Sequence, residues 1–244
     1  IYLGATSLFG LYIVEGGGTE RLENGEPGAA FMNGQFGPGG SSGSIWRIDG
    51  KTGEISEFAR LPENSGAGVG DVVFDPKTRQ FFATDLDGGM IYRISEDGIV
   101  IDSYDHGVSG RTAAGLDAVD DDGSQLDITN AAFDTGAPET WGYTQSERRV
   151  WGLAVNNGRL YYTTDGEPQV WSIGLVDTGD FASDARLEFD VKGLSGVGPI
   201  TDMQFDKSGR LYLAQRGPQK ASFNFAEFVQ PNQASVLRYI PASS

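Results

Sequence analysis

The chain has 244 residues, with 34 acidic against 18 basic side chains and a formal net charge of −16, a field that repels a nucleic-acid backbone and disfavours anionic membrane surfaces. It has no cysteine and one histidine, which excludes disulfides, thiolate metal sites and any multi-histidine metal centre. No apolar run approaches the ~18 residues of a membrane-spanning helix, so membrane insertion is excluded as well.

The 36 glycines show no strict period of three and instead punctuate short apolar runs. In chain order these runs sort into strand positions A to D. The chain opens on IYLGAT, Ile1–Thr6, a B strand rich in β-branched and aromatic residues. The first residue is Ile and no signal peptide is visible, so the chain reads as a processed or excised piece of a longer product. A long insertion, Glu15–Gly43, leads to C at Ser44–Asp49 and, past the turn DGKTG, to D at Glu54–Ala59. The next unit is the clearest: A Asp71–Phe74, turn DPKT, B Gln80–Asp85, C Met90–Ser95, turn EDG, D Ile99–Tyr104. A second long insertion, Gly107–Arg149, follows. Then come A Trp151–Val155, turn NNG, B Leu160–Asp165, C Gln169–Gly174, the segment LVDTGDFASDA and D Arg186–Val191. The last unit has A Thr201–Phe205, turn DKSG and B Leu211–Gln215, then a third insertion, Arg216–Ala234, and C Ser235–Ile240. Within that insertion Ala221–Phe228 reads as a turn or two of helix.

The units repeat. GDVVFDPKTRQFFATD (residues 70–85) returns as TDMQFDKSGRLYLAQ (residues 201–215). Asp71, Phe74, Asp75, Arg79 and Ala83 match Asp202, Phe205, Asp206, Arg210 and Ala214 at one constant offset. The C strands share SIWRI, MIYRI, VWSI and SVLRY. Four-strand antiparallel units of roughly 40 residues are blades of a β-propeller. The fold class is therefore all-β, with about four blade equivalents over residues 1–244 as one propeller domain or part of a larger ring. The first unit lacks A and the last lacks D. The two ends either meet in one shared blade or leave strand positions for another segment or chain.

ITDMQFDKSGRLYLAQ and GDVVFDPKTRQFFATD resemble the repeats of the NHL-like and gluconolactonase/regucalcin-like propeller superfamily. The resemblance covers about half of the chain and implies a fold. AAFMNGQFGPGGSSGSIWRIDGKTG is similar to Gly-rich repeats of large bacterial surface proteins.

In a meander, B→C and D→A connections emerge at one end of a blade. The insertions 15–43, 107–149 and 216–234 therefore share a face, whereas the opposite face has minimal turns apart from residues 175–185. Long loops on a rigid scaffold suit binding. A strands start on the loop-rich face and line the channel, so Asp71, Asp202 and, in the corresponding slot, Trp151 are expected at the channel mouth, with His106 after strand D on the same face. In the gluconolactonase-like relatives an acidic residue at this strand start is a divalent-metal ligand. The resemblance thus points to Asp202 and then Asp71 as ligands for calcium or magnesium, while the Glu and Asn ligands that those enzymes take from other blades are not identifiable from the sequence, and finding such side chains converging with Asp202 would decide for the enzyme. The plainer role of each Asp is to bond loop N–H groups. In DAVDDDGSQLD, Asp120 and Asp122 fall at the third and fifth positions of a calcium loop, but Ala118 and Thr129 occupy its first and twelfth, which leaves an acidic turn.

These features describe an acidic, non-enzymatic, secreted, cell-surface or periplasmic propeller that binds protein or glycan, or neighbouring subunits, through its loop-rich face, with calcium as the one cofactor to be considered. The alternative is a metal-dependent hydrolase or lyase of the gluconolactonase-like kind, with its site at the channel mouth.

Overall fold

The computed structural model describes residues 1–6, 13–15, 28–62, 64–133, 140–166, 168–191, 198–217 and 232–240. The first sheet joins β1 (Tyr2–Gly4), β4 (Ser44–Ile48) and β5 (Ile55–Arg60), with a small hairpin of β2 (Ile13–Glu15) and β3 (Ala29–Phe31) between β1 and β4 in sequence. The second is β6 (Val69–Asp75), β7 (Gln80–Asp85), β8 (Met90–Ile94) and β9 (Val100–Asp105). The third is β10 (Val150–Asn156), β11 (Arg159–Thr164), β12 (Gln169–Gly174) and β13 (Arg186–Asp190). The last is β14 (Ile200–Phe205), β15 (Leu211–Gln215) and β16 (Ser235–Tyr239). All ladders are antiparallel, in the meander order of propeller blades.

The burial of each strand follows from its place in a blade. β7 (QFFATD) and β12 (QVWSIG) are buried on both faces apart from their first residues, because a neighbouring blade covers each side. The outer β5 and the edge strand β16 alternate, as half-buried strands do. Three cores fill the gaps between blades. Ile45 and Leu61 meet Phe81 and Ile94; Phe82 and Ile91 meet Leu153, Tyr162 and Trp171; Ala154 and Val170 meet Ile200, Met203 and Leu213. The inner strands β6, β10 and β14 pack side by side.

The structure corrects the sequence reading in three places. The A strands begin earlier, at Val69, Val150 and Ile200, and each carries a bulge near its start. The constant offset of the repeat holds through Asp75 and Asp206 and then slips by one. Phe74 pairs with Phe81, whereas Phe205 pairs with Leu211, so Leu213 and not Ala214 fills the slot of Ala83. The turns explain the slip: the left-handed position falls at Arg79 (φ 56°) in DPKTR and at Gly209 (φ 75°) in DKSG. Of the two arrangements open for the chain ends, a shared blade is not formed among the described residues, since β1 pairs with β4 and β16 with β15. A π-helical turn at His106–Gly110 and a short helix at Arg111–Ala113 follow β9, where a loop was expected. Residues 221–228 lie outside the described residues.

Candidate functional site at the channel mouth

The bulges set the geometry of the inner strands. Asp71, Gly152 and Asp202 occupy one slot, and Gly70, Trp151 and Thr201 the slot before it. Trp151 is thus one residue out of the register expected for it. Gly152 is required in its slot, because a Cβ there would lie 2.9 Å from Asp202 N. Two buried threonines tie this layer together. Thr84 Oγ1 accepts from Asp71 N at 2.8 Å and donates to Trp151 O of the next blade at 2.7 Å. Thr163 Oγ1 repeats the arrangement, accepting from Gly152 N at 3.0 Å and donating to Ile200 O at 2.7 Å.

Asp71 also spans blades. Its Oδ2 accepts from Leu153 N at 2.8 Å, and its Oδ1 accepts from Val72 N at 2.7 Å. Burial pushes its carboxyl up to about 7, and the nearby Asp202 carboxylate adds to the rise while the two backbone bonds oppose it. Asp202 itself is exposed. Asp202 is thus close enough to act on Asp71, and the cost of their repulsion adds to that of burial at Asp71.

Above this layer the long loops build a core of their own. Ala29 from the first insertion and Leu126, Ile128, Phe133, Trp141 and Tyr143 from the second pack with Leu86 and Trp151. The Arg216 guanidinium stacks over the Trp151 ring at 5.6 Å. Trp151 is 2 % exposed, yet its Nε1–H has no hydrogen-bond partner among the described residues. Arg149 binds Asp165 at 2.6 Å and lies over Tyr143 at 4.7 Å. Arg148, 2 % exposed, donates to Gly88 O and Val119 O and pairs with Asp105 at 3.1 Å. These arginines fasten loops to blades.

A second acidic group lies beside the second insertion. Asp85, Asp87 and Asp121 line a cavity of about 160 Å³. Asp85 accepts from Asn64 Nδ2, Asp87 N and Gly88 N, and burial pushes it up to about 7. Asp87 accepts from the backbone and hydroxyl of Ser65, and burial raises it too. Both are loop anchors that the sequence reading missed; the ATDLDGG run at the end of β7 was the signal. Among the described residues no group of three or more His, Cys, Asp or Glu side chains is placed to hold a metal ion. Asp120 and Asp122 are exposed, and Asp122 closes a local turn by accepting from Ser124 N; hydrogen bonds from the Ser124 hydroxyl first, and then its backbone, hold Asp122 below its ordinary value.

His106 is not at the mouth. It is 1 % exposed, opens the π-helical turn, bonds Tyr162 OH through Nδ1 at 3.0 Å and packs on Trp171. Burial first, then Arg111 and Arg148, lower it to about 3, so it stays neutral. The expectation followed its chain position after strand D and missed the inward π-turn.

No family model and no curated protein sequence matches the chain. Solved structures give partial likenesses. A catalytically inactive virginiamycin B lyase from Staphylococcus aureus with quinupristin is 15 % identical over 99 % of this chain and 60 % of its own, with a TM-score of 0.40. A nidogen/laminin complex is 19 % identical over 81 % and 57 %, with a TM-score of 0.42. A putative glucose dehydrogenase from Thermus thermophilus is 16 % identical over 80 % and 54 %, with a TM-score of 0.36. The chain spans 60 % or less of the length of each of these three. Likenesses of this size carry no argument about chemistry; the propeller assignment and its fold-level resemblance rest on the strand order, the repeat and the packing between blades. No helix among the described residues is long and apolar enough to cross a membrane.

Proposed function

We propose that the chain is a non-enzymatic binding or assembly module of the cell exterior or periplasm, which presents its loop-rich face to a protein or glycan. The observation that carries this reading is the apolar core that Leu126, Ile128, Phe133, Trp141 and Tyr143 form over Trp151 and Leu86. It covers the start of β10 and holds a long loop as a fixed platform, which is what binding surfaces on rigid scaffolds need. Asp71 fits the same reading, since both its oxygens are engaged by backbone N–H groups.

The test is an array of glycans and extracellular proteins probed with the wild type and two surface variants. Leu116→Glu with Gln125→Arg alters the loop-rich face, and Lys77→Glu with Lys207→Glu alters the short-turn face; all four positions are exposed. Binding lost in the first variant alone supports the reading. Binding lost in the second alone, or no binding by the wild type, overturns it.

The hydrolase or lyase reading has two observations in its favour. Burial pushes the Asp71 carboxyl up to about 7, and the Trp151 N–H is buried without an acceptor among the described residues. Turnover of simple aldonolactones that needs a divalent cation and vanishes in Asp202→Ala would establish it.

A further inference from the structure

The Gly-rich segment NGQFGPGGSSGS has no role in the blades, yet it is tightly built. Successive turns close through Gln35 N to Met32 O at 3.0 Å, Gly37 N to Gly34 O at 3.0 Å and Gly40 N to Gly37 O at 3.1 Å. Trp46 of β4 is its template: Nε1 donates to Phe36 O at 2.9 Å, and a Cβ at Gly37 or Gly40 would run into the indole ring. Gly37 also takes a φ of 92°, which disfavours any other residue. Arg60 Nη2 holds Gly39 O at 2.9 Å from the far side. The glycines therefore let the chain wrap a tryptophan closely, and the loop is fixed before any ligand arrives.

What it encloses is a cavity of about 320 Å³ lined by Phe31, Asn33, Gln35, Phe36, Ser41 and Ser42 together with Met32 and two glycines. The size falls within the range of small-ligand sites. Its chemistry is unusual for this molecule. Among the described residues, no acidic or basic side chain lines this cavity, so they offer a cation or an anion no counter-charge there. Phe31 and Phe36 meet edge to face at 5.1 Å and supply apolar, π-rich wall. Amides and hydroxyls supply both donors and acceptors, and the side chains of Asn33 and Ser41 make no hydrogen bond among the described residues. Aromatic wall, uncharged amides and hydroxyls are the complement of a neutral sugar, which offers C–H faces and ring hydroxyls together.

We propose that this cavity is a binding site for a neutral saccharide, an inference that rests on the binding-module reading and names its ligand class. The test is calorimetric titration of the whole chain with cellobiose, maltose and diacetylchitobiose, and with glucuronic acid and glucosamine as charged controls. The expected result is saturable binding of at least one neutral disaccharide and none of the charged sugars. Asn33→Ala and Ser41→Ala should each weaken it about tenfold, or 1.4 kcal/mol, with an unchanged melting temperature. Absence of binding at 10 mM sugar, on the order of the weak limit for such ligands, overturns the proposal. So does binding that both substitutions leave untouched, or equal binding of the charged sugars. Failure here with protein partners still captured by the loop-rich face would leave the binding-module reading standing.

Discussion

Asp71 shows how one side chain couples the channel mouth to pH. A carboxyl whose folded pKa lies above its unfolded value holds its proton more tightly in the folded state. Its stabilising contribution is full below the ordinary value of 3.8 and is lost as pH rises through about 7. Asp71→Asn keeps an acceptor for Leu153 N and removes the buried charge. It should be more stable than the wild type by about 1–2 kcal/mol at pH 8 and equal to it below pH 4, solvent beside the side chain tempering the full linkage. Denaturant unfolding across that range checks this, and parallel pH profiles for the two proteins would refute it. The shared slot of Asp71 and Asp202 was legible in the sequence because the repeat aligns them at one constant offset. The slot of Trp151 was not, because a β-bulge adds a residue without leaving a compositional mark. His106 was misplaced for a related reason: nothing in DHG announces that the chain turns inward through a π-helical turn.

Elements are joined across blades by a few repeated devices. Thr84 and Thr163 each satisfy a bulged N–H in their own blade and a carbonyl in the next. Thr84→Val should cost about 2–3 kcal/mol, because it leaves both backbone groups buried and unpaired, whereas Thr84→Ser should stay within about 1 kcal/mol of the wild type. Equal stability of the Val and Ser variants in urea would show that the hydroxyl is idle. The segment 175–185 is a strap in the same sense. Leu175 bridges to Phe181, Phe181 packs on Phe82 and Tyr104, and Asp177 and Asp180 pair with Lys77 and Arg93 of the preceding blade. Phe181→Ala should lower stability by about 2 kcal/mol, measured by the same unfolding, and a change below about 0.5 kcal/mol would mean the strap carries no load. The blade strands themselves were readable to within two residues, since turns such as DPKT, NNG and DKSG bracket β-branched and aromatic runs. The β2–β3 hairpin was not, because Ile13–Glu15 and Ala29–Phe31 are three residues each and sit far apart in a Gly-rich insertion. The slip after Asp206 escaped notice because the five identities continue through it in sequence while the ladder does not.

At the scale of the whole molecule, charge and burial point the same way. Asp71, Asp85 and Asp87 are raised by burial, so their combined contribution to stability falls as pH rises from 3.8 towards 7. Asp49, Asp122, Asp127 and Asp206 are lowered by local hydrogen bonds, and their contribution is lost only as pH falls below 3.8. With a net charge of −16 adding self-repulsion at neutral pH, the melting temperature should peak near pH 4–5 and decline towards pH 8; a maximum at neutral pH would contradict this balance. The inter-blade cores explain why a propeller was legible from one sequence: middle strands such as β7 and β12 bury both faces, so apolar runs recur between short turns. The loops were legible only as loops, since their core draws on residues 29, 67, 86, 126, 128, 133, 141, 143 and 151, which no local pattern connects. The central proposal is that the channel mouth is a loop-anchored scaffold and not a divalent-metal centre. It is tested most directly by thermal melting of the wild type and Asp202→Ala with and without calcium. A metal site filled at a hundredfold excess over its Kd would contribute about 2.7 kcal/mol and raise the melting temperature by about 5–10 °C. The predicted result is no calcium-dependent shift in either protein; a rise of that size in the wild type that Asp202→Ala abolishes would contradict the account.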